Sequence, residues 1–400
     1  MNRFEQDEGG VTAEIAEADS GRTETVRCGH LIGCDGAGSI VRQTLGFRYE
    51  GEGSEDVNMM MGRMLSTYVD MPDILDHLKT PNSFHFWTVN PDARAAFVAI
   101  DGKGKFQVLS KLPPGKTENE VDAEDLIRRA LGADVPFKIL LKKGWMAGLA
   151  LVAEKYQEGR VFMAGDAVHL FTPTGGFGMN TGIDDAANLG WKLAARHQGW
   201  GGDGLLATYE SERRSIAIRN TTMSRYFANA VAQIPVPEEL EEDTPGGERA
   251  RAMVGEHLDG FREEFASLGV QLGAHYDGSP LIVPDGTSPP EDHPSRYVPT
   301  TCPGGRAPHF WRADGSALFD HFGQGFTLLR FGGGLADTSN LEKAARKRGA
   351  PLDTVAVDEP EGRKLYERNH ALIRPDGHVA WRGDEAPRDP DRLLDSVAGA

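Results

Sequence analysis

The stretch Gly165-Asp166-Ala167-Val168-His169-Leu170-Phe171-Thr172-Pro173-Thr174-Gly175-Gly176-Phe177-Gly178-Met179-Asn180 decides how this chain is read. It follows the short apolar run Val161–Ala164 and leads into a helical pattern. In an open α/β sheet the carboxyl end of a strand is where ligands bind. An acid there, Asp166, can accept hydrogen bonds from sugar-type hydroxyls, although Gly-Asp taken alone is as readily a plain turn. The loop that follows weighs against a plain turn. Gly175, Gly176 and Gly178 let backbone approach a flat ring with no Cβ in the way. Thr172, preceding Pro173, is held extended. Thr181 with Asp184 resembles a capping box, which puts the helix start at Met179-Asn180-Thr181. Its free N–H groups and dipole would stabilise negative charge by about 0.3–1 kcal/mol at an exposed site. The whole reads as a cradle for a large, flat, phosphate-bearing cofactor.

A second constellation repeats the pattern. Leu31-Ile32-Gly33-Cys34 is a short buried strand, and Asp35-Gly36-Ala37-Gly38-Ser39 turns into a helix at Ile40, with Arg42 placed to reach a phosphate. Further out, residues 4–32 read as a hairpin leading into a strand. Residues 57–111 read as an antiparallel sheet inserted into the α/β layer, with strands at 58–65, 83–89, 95–100 and 106–111 and a hairpin turn at Asp101-Gly102-Lys103-Gly104. A helix over 122–131 and a return to the sheet over 145–152 follow. A long helix spans 205–231, because Leu206, Tyr209, Ile216, Met223, Phe227 and Ala230 share one face. Eight prolines between Pro280 and Pro308 suggest an extended linker or domain edge. Strands at 326–331, 354–357 and 371–374, with a helix over 341–348, form a separate small α/β domain. Alternation in the inserted sheet puts His85 and Trp87 on one face. Core packing is the plain reading, and the alternative is an aromatic substrate pocket.

At 400 residues the chain is too long for one core, and its 39% hydrophobic and 26% charged content is that of an ordinary globular protein. A net charge of −17 argues against nucleic acid or an anionic membrane as partner. Three scattered cysteines, Cys28, Cys34 and Cys302, make neither a disulfide framework nor a zinc site and fit a reducing cytoplasm. No apolar run approaches the ~20 residues that span a bilayer. His169, three residues after Asp166, is too few ligands for a metal and reads as a loop anchor. No G-x-S-x-G elbow supports a hydrolase.

Together the two Asp-ended strands resemble the single-component FAD-dependent aromatic hydroxylases, the flavoprotein monooxygenases of the phenol hydroxylase and para-hydroxybenzoate hydroxylase type. Asp35, Gly36, Ser39, Val41 and Arg42 match the family's Asp-Gly motif, and Gly165, Asp166, Ala167, His169, Pro173, Gly175, Gly178 and Asn180 match its Gly-Asp motif. The resemblance implies an α/β fold with three parts. These are a Rossmann-like FAD-binding domain of glutathione-reductase type (residues 1–50 and 153–235), an inserted antiparallel substrate domain (51–152) and a C-terminal thioredoxin-like domain (297–400). A helical segment and Pro-rich linker (236–296) joins the last of these to the FAD-binding domain. It implies that Asp35, Gly36, Arg42, Gly165, Asp166, Gly175 and Gly176 bind FAD. Asp166 would hold the ribityl chain, Pro173 would face the isoalloxazine, and Gly178, Met179 and Asn180 would bind its pyrimidine end. His85 and Trp87 would line the substrate site, with no metal.

The implied activity is NADPH- or NADH-dependent hydroxylation of a phenolic or polycyclic aromatic substrate with O2, through a flavin C4a-hydroperoxide. A flavin halogenase is an alternative that the missing Trp-x-Trp-x-Ile-Pro pattern lowers. The Arg374-Pro375-Asp376-Gly377-His378-Val379-Ala380-Trp381-Arg382 run resembles the end of the phenol hydroxylase thioredoxin-like domain, but there is no Cys-x-x-Cys pair. Its expected role is structural or in subunit contact, and a homodimer is compatible with it. One departure stands out: the family's opening G-x-G-x-x-G unit has no counterpart here. The first βαβ unit, ~30 residues, is therefore expected to be missing through truncation or a misplaced start. A non-catalytic remnant acting as a subunit-contact module is the alternative from another class.

Overall fold

The computed structural model describes residues 1–53, 62–78, 80–332 and 337–400. The chain opens with β1 (Arg3–Asp7), β2 (Gly10–Ala16) and β3 (Thr23–Cys28), an antiparallel meander in the order β1-β2-β3. Sequence suggested one hairpin here. The additional strand pairs Phe4 with Ala13, and both are buried with Val11 in the core of the first half. Next come β4 (Leu31–Gly33) and α1 (Ile40–Thr44), as the Gly-turn pattern requires, and then β5 (Tyr49–Glu52).

The inserted sheet comprises β6 (Gly62–Asp70), β7 (His85–Val89), β8 (Arg94–Ala99), β9 (Lys105–Lys111) and β10 (Lys138–Ala147), with the short α2 (Ile74–His77) and α3 (Ala123–Leu131) between them. Its order is β10-β6-β9-β8-β7, wholly antiparallel. One face carries Phe97, Phe106, Val108 and Val69 against Ile127 of α3. The other carries Met64, Ala96 and Leu109, with Trp87, against the C-terminal end of the long helix described below. Alternation with a period of two separates these sets, as it must in a pleated sheet. The expected strand over 58–65 lies outside the described residues up to 61. The expected return over 145–152 divides between two sheets. Residues 145–147 belong to β10, whereas β11 (Ala150–Ala153) leaves the inserted sheet and pairs with β5 and β14 (His169–Leu170).

β12 (Gln157–Glu158) and β13 (Val161–Met163) complete the layer that carries the two Asp-ended turns. β13 runs parallel to β4, in the order β12-β13-β4, so β4 is the edge strand among the described residues. Two long helices follow, α4 (Phe177–Gln198) and α5 (Thr208–Ala232). Leu189 of α4 and Tyr209 and Ala217 of α5 close over Phe162 and Met163. At ~25 cal/mol per Å² of apolar surface buried, each such side chain contributes roughly 1.5–3 kcal/mol. Then come α6 (Pro245–Asp259), α7 (Arg262–Phe265) and α8 (Leu268–Leu272).

The proline-rich segment is irregular, as expected, but it is not a free linker. Tyr276, Leu281, Cys302 and Ala307 are buried, and backbone bridges join His275 to Gly305 and Arg306 to His378. The final sheet contains β15 (Phe326–Phe331), β16 (Leu352–Val357), β17 (His370–Ile373) and β18 (Val379–Gly383), in the order β16-β15-β17-β18. β15 is parallel to β16 and antiparallel to β17. Helices α9 (Ser339–Arg348), α10 (Pro360–Tyr366) and α11 (Pro390–Val397) accompany it. Trp191 and Trp200, stacked with ring centroids 6.2 Å apart, bury themselves against Phe326 and Leu281 and so fasten this domain to the end of α4. No helix among the described residues is long and apolar enough to cross a membrane.

Candidate functional site

Both Asp-ended strands finish side by side, since Val161–Met163 pairs in register with Leu31–Gly33. The Ala164 N–H extends the pairing by donating to the Gly33 carbonyl at 3.1 Å. The two turns therefore share one sheet edge, but their carboxylates are used differently. Asp35 Oδ2 accepts the N–H groups of Ile40 (2.8 Å) and Val41 (3.2 Å), and Ser39 Oγ accepts that of Arg42 (2.9 Å). Partial burial would raise the Asp35 pKa, but these donors outweigh it and hold it below the usual range. Asp35 thus reinforces the N-terminus of α1, whose N-cap residue is Ser39.

Arg42 differs from expectation. It is buried rather than poised for phosphate. Its Nη1 donates to the Tyr49 hydroxyl (2.7 Å) and the Ala167 carbonyl (3.1 Å), and its Nη2 donates to the Ala37 carbonyl (3.1 Å). The guanidinium also lies over the Tyr49 ring, 3.9 Å from its centroid. Tyr49 in turn donates to the Asp166 carbonyl at 2.7 Å. These contacts brace one turn against the other. Sequence could not show this because the acceptors are backbone atoms up to 125 residues away.

At the second turn, Gly165 adopts φ +63°, a region that disfavours side chains. Its N–H donates to Asp185 Oδ2 (3.1 Å), which also lies 2.7 Å from His169 Nε2. The buried Asp185 is held ionised: burial opposes its charge, but Arg213 and His169 outweigh that and lower the pKa. His169 is therefore the loop anchor that sequence suggested. The Asp166 side chain, by contrast, is exposed and makes no hydrogen bond with the described residues.

The loop beyond is pinned from behind. Thr172 and Thr174 are buried, their hydroxyls 2.8 Å apart, and Thr174 Oγ1 donates to the Ser224 carbonyl of α5 at 2.7 Å. Ser224 Oγ returns bonds to the carbonyls of Thr172 (3.0 Å) and Thr174 (2.9 Å). Pinning both neighbours turns Pro173 outward, where it is exposed. Gly175 (φ +77°) donates its N–H to Glu264 Oε1 at 3.2 Å. Burial pushes the Glu264 carboxyl above its ordinary pKa.

The expected capping box is absent. α4 begins at Phe177, one turn earlier, because Gly176 in the left-handed region serves as its N-cap; Thr181 is instead a buried interior residue. No side chain caps that start, and Met179 and Asn180 are exposed on it. Asn180 Nδ2 folds back to the Gly176 carbonyl at 2.8 Å. An unpaired carboxylate, an outward proline and an uncapped helix start along one rim fit a flat ligand with a hydroxylated chain and a partly anionic ring.

His85 and Trp87 stack with centroids 5.0 Å apart, and Phe265 of α7 meets the His85 ring edge-on at 5.7 Å. Since Phe265 follows Glu264, these contacts bring His85 to the neighbourhood of the Gly175 loop. Burial lowers the His85 pKa, and its Nε2 is buried without a partner among the described residues. Trp87 sits lower on the face and borders a separate groove with Leu240, Val254 and Leu258. No grouping of His, Cys, Asp or Glu among the described residues could hold a metal ion.

Sequence reasoning passed over Tyr49, Asp185, Ser224 and Glu264. A signal existed for Asp185: Thr181, Asp185, Asn188 and Lys192 recur at steps of four, three and four, a buried polar stripe on α4. Glu264 gave none.

This is the site of a flavoprotein: residues 1–224 match the FAD binding domain family and residues 300–400 match the C-terminal domain of aromatic-ring hydroxylases. The chain belongs to the FAD-dependent aromatic hydroxylase family. It is 32% identical, over 98% of its length, to the FAD-dependent monooxygenase apdD of Emericella nidulans, of which it spans 66%. Among solved structures it resembles RebC with bound 7-carboxy-K252c (TM-score 0.90, 36% identity, 99% of this chain and 73% of that one). It also resembles aklavinone-11 hydroxylase in a ternary complex with FAD and aklavinone (TM-score 0.79, 29% identity, 99% and 72%). The halogenase alternative finds no support in these relatives.

Proposed function

We propose that this chain supplies the flavin-ring and substrate parts of a monooxygenase that uses NADPH or NADH, O2 and FAD to hydroxylate a phenolic or polycyclic aromatic ring. The observation that carries this reading is the rim described above. Asp166 is free to accept from the ribityl hydroxyls, Pro173 faces the ring, and the amides of Gly178 to Asn180 serve its pyrimidine end. Gly165, Gly175 and Gly176 keep Cβ atoms out of the way, and Asp35, Gly36 and Arg42 brace the neighbouring turn. The flavin supplies the redox and oxygen-transfer chemistry. The protein positions the ring and excludes water. His85, neutral and with Nε2 unpaired, is suited to accept a hydrogen bond from a phenol.

The domain plan we favour places the flavin site on 1–50 and 153–235, substrate binding on 51–152, a helical and proline-rich connection on 236–296, and a thioredoxin-like domain on 297–400. The order β16-β15-β17-β18 with β17 reversed supports the last assignment. Cys302 is buried and unpaired, which favours a structural or dimer-contact role over dithiol chemistry. Three free thiols favour a reducing cytoplasm.

The free edge of β4, with Ile32 exposed beside it, is where an adenosine-binding βαβ unit would pair. Without G-x-G-x-x-G, the 400 residues should bind FAD and FMN with affinities within about threefold of each other, since only the shared flavin half finds donors. A preference for FAD above a hundredfold would contradict this, and binding neither flavin would favour the contact-module alternative. The activity is tested by oxygen uptake with NADPH or NADH, which a suitable phenol or polycyclic phenol should accelerate. Indifference to every phenol would count against hydroxylation.

A further inference from the structure

We propose that the C-terminal domain sets the shape of the Gly165–His169 turn through a buried polar relay, with Asp185 as the positioning residue at its near end. What the turn holds rests on the reading above; the relay itself does not.

At the near end, one Asp185 oxygen takes the Gly165 N–H (3.1 Å) and faces His169 Nε2 (2.7 Å), so a single carboxylate grips both ends of the turn. The middle of the turn is held by other groups: the Asp166 carbonyl accepts from the Tyr49 hydroxyl (2.7 Å), the Ala167 carbonyl from Arg42 Nη1 (3.1 Å) and the Val168 carbonyl from the Ala153 N–H (2.6 Å). Its internal backbone bond is Val168 N–H to the Gly165 carbonyl at 2.9 Å, and a Cβ at Gly182 would lie 3.1 Å from Gly165 Cα, so the turn rests directly on α4. The other Asp185 oxygen accepts Arg213 Nε at 2.8 Å.

From there the relay leaves the flavin side. Arg213 Nη1 donates to the Tyr276 hydroxyl (3.2 Å), which also accepts from Asn188 Nδ2 (3.3 Å). Tyr276 belongs to the proline-rich strap, and its ring packs on His378 at 4.2 Å. Asn188 Nδ2 continues to Glu212 Oε2 (2.8 Å) and Asp376 Oδ2 (3.2 Å). At the far end Arg374 holds Glu212 with both Nη atoms (2.7 and 2.8 Å) and Asp376 with Nη2 (2.6 Å). The side chains of Arg374, Glu212, Asp185 and Arg213 are all at most 2% exposed.

At such burial, the charged members cannot shift without leaving a neighbour's charge unpaired, and the neutral Tyr276 and Asn188 cannot shift without losing the hydrogen bonds that link them. The Arg374–His378 turn, which connects β17 to β18, therefore constrains a turn more than 200 residues earlier in the chain. The two domains also meet through the packed rings of Trp191, Trp200 and Phe326 and through backbone bonds from Gly202 and Gly204 to the Ala398 and Gly399 carbonyls, and Trp191 Nε1 joins the relay by donating to Asp376 Oδ2 at 3.2 Å.

The test is amide hydrogen exchange on the unliganded 400-residue chain, which needs neither flavin nor activity. Two remote variants are compared with wild type: Asp376→Asn, which removes charge and keeps shape, and Tyr276→Phe, which removes only the central hydroxyl and leaves the folded core intact. Each should accelerate exchange of the 165–170 amides roughly 10-fold and leave the β1–β3 meander unchanged. Asp185→Asn should do the same, and combining it with Tyr276→Phe should add nothing further. Acceleration confined to residues 270–383, uniform acceleration that includes the meander, or full additivity of the double variant would each overturn the proposal. A failure of flavin binding with the exchange result intact would instead overturn the functional reading alone.

Discussion

Two turns with the same grammar, Asp35-Gly36 and Gly165-Asp166, leave parallel strands side by side and open into helices, yet one consumes its carboxylate and the other keeps it free. Asp35 is taken up by the first amides of α1. At the second turn the amide that needs a partner, that of Gly165, is served by Asp185 from another helix. That borrowed carboxylate leaves Asp166 unengaged. The difference shows that a motif acid stays free to meet a ligand when some other residue satisfies the local backbone. Here the other residue is held by buried charges that reach the C-terminal domain.

The buried charges behind the second turn should give the largest effect. Arg374→Ala strands Glu212 and Asp376 in the interior and should cost about 3–5 kcal/mol, read as a lower denaturant midpoint. An unchanged midpoint would show that the second turn needs no such backing. Acid should reach the same support. Burial alone would raise the pKa of Glu212, but Arg374 and Lys192 outweigh it and hold it well below its ordinary 4.5; Asp376 is held down likewise. For a carboxylate whose folded pKa is depressed, the stabilisation is fully present above the unfolded pKa and is lost as pH falls from there through the folded pKa. Unfolding free energy should therefore drop steadily below about pH 4.5, and less steeply in Glu212→Gln. Equal slopes would remove Glu212 from the account.

A smaller effect distinguishes the turns themselves. Asp35→Ala loses the acceptor that reinforces the N-terminus of α1 and should cost about 1 kcal/mol. Asp166→Ala, with no internal partner to lose, should change stability by less than about 0.5 kcal/mol. Equal costs would erase the distinction between the two.

Much of this arrangement was legible in the sequence because it is local. Leu31–Cys34, the Asp101–Gly104 hairpin, the helix capped by Asp122 and the βαβ pattern after Phe326 each follow from a periodicity or a turn residue within a few positions. The groups proposed to face the flavin could be picked out for the same reason: Asp166, Pro173 and the glycines lie in one continuous stretch. What escaped was non-local. Arg42 seemed free until Tyr49 and the Ala167 carbonyl were placed beside it. The helix start moved one turn because the left-handed Gly176, not Thr181, ends the loop. The prolines suggested an extended linker or domain edge because sequence cannot show that Tyr276 and Leu281 are buried, Leu281 in one cluster with Trp191, Trp200 and Phe326. Partners such as Glu212 and Arg374, 162 residues apart, belong to no motif at all.

The central claim is that Asp166, freed by Asp185, holds the flavin. It is tested most directly by titrating FMN, followed by flavin fluorescence, into the wild type, Asp166→Ala and Asp35→Ala. A hydrogen bond to a charged acceptor is worth about 1.5–3 kcal/mol. Asp166→Ala should therefore weaken binding by about tenfold or more at unchanged stability, while Asp35→Ala, though less stable, should bind within about threefold of wild type. Undiminished affinity in Asp166→Ala, or a larger loss in Asp35→Ala, would contradict the account.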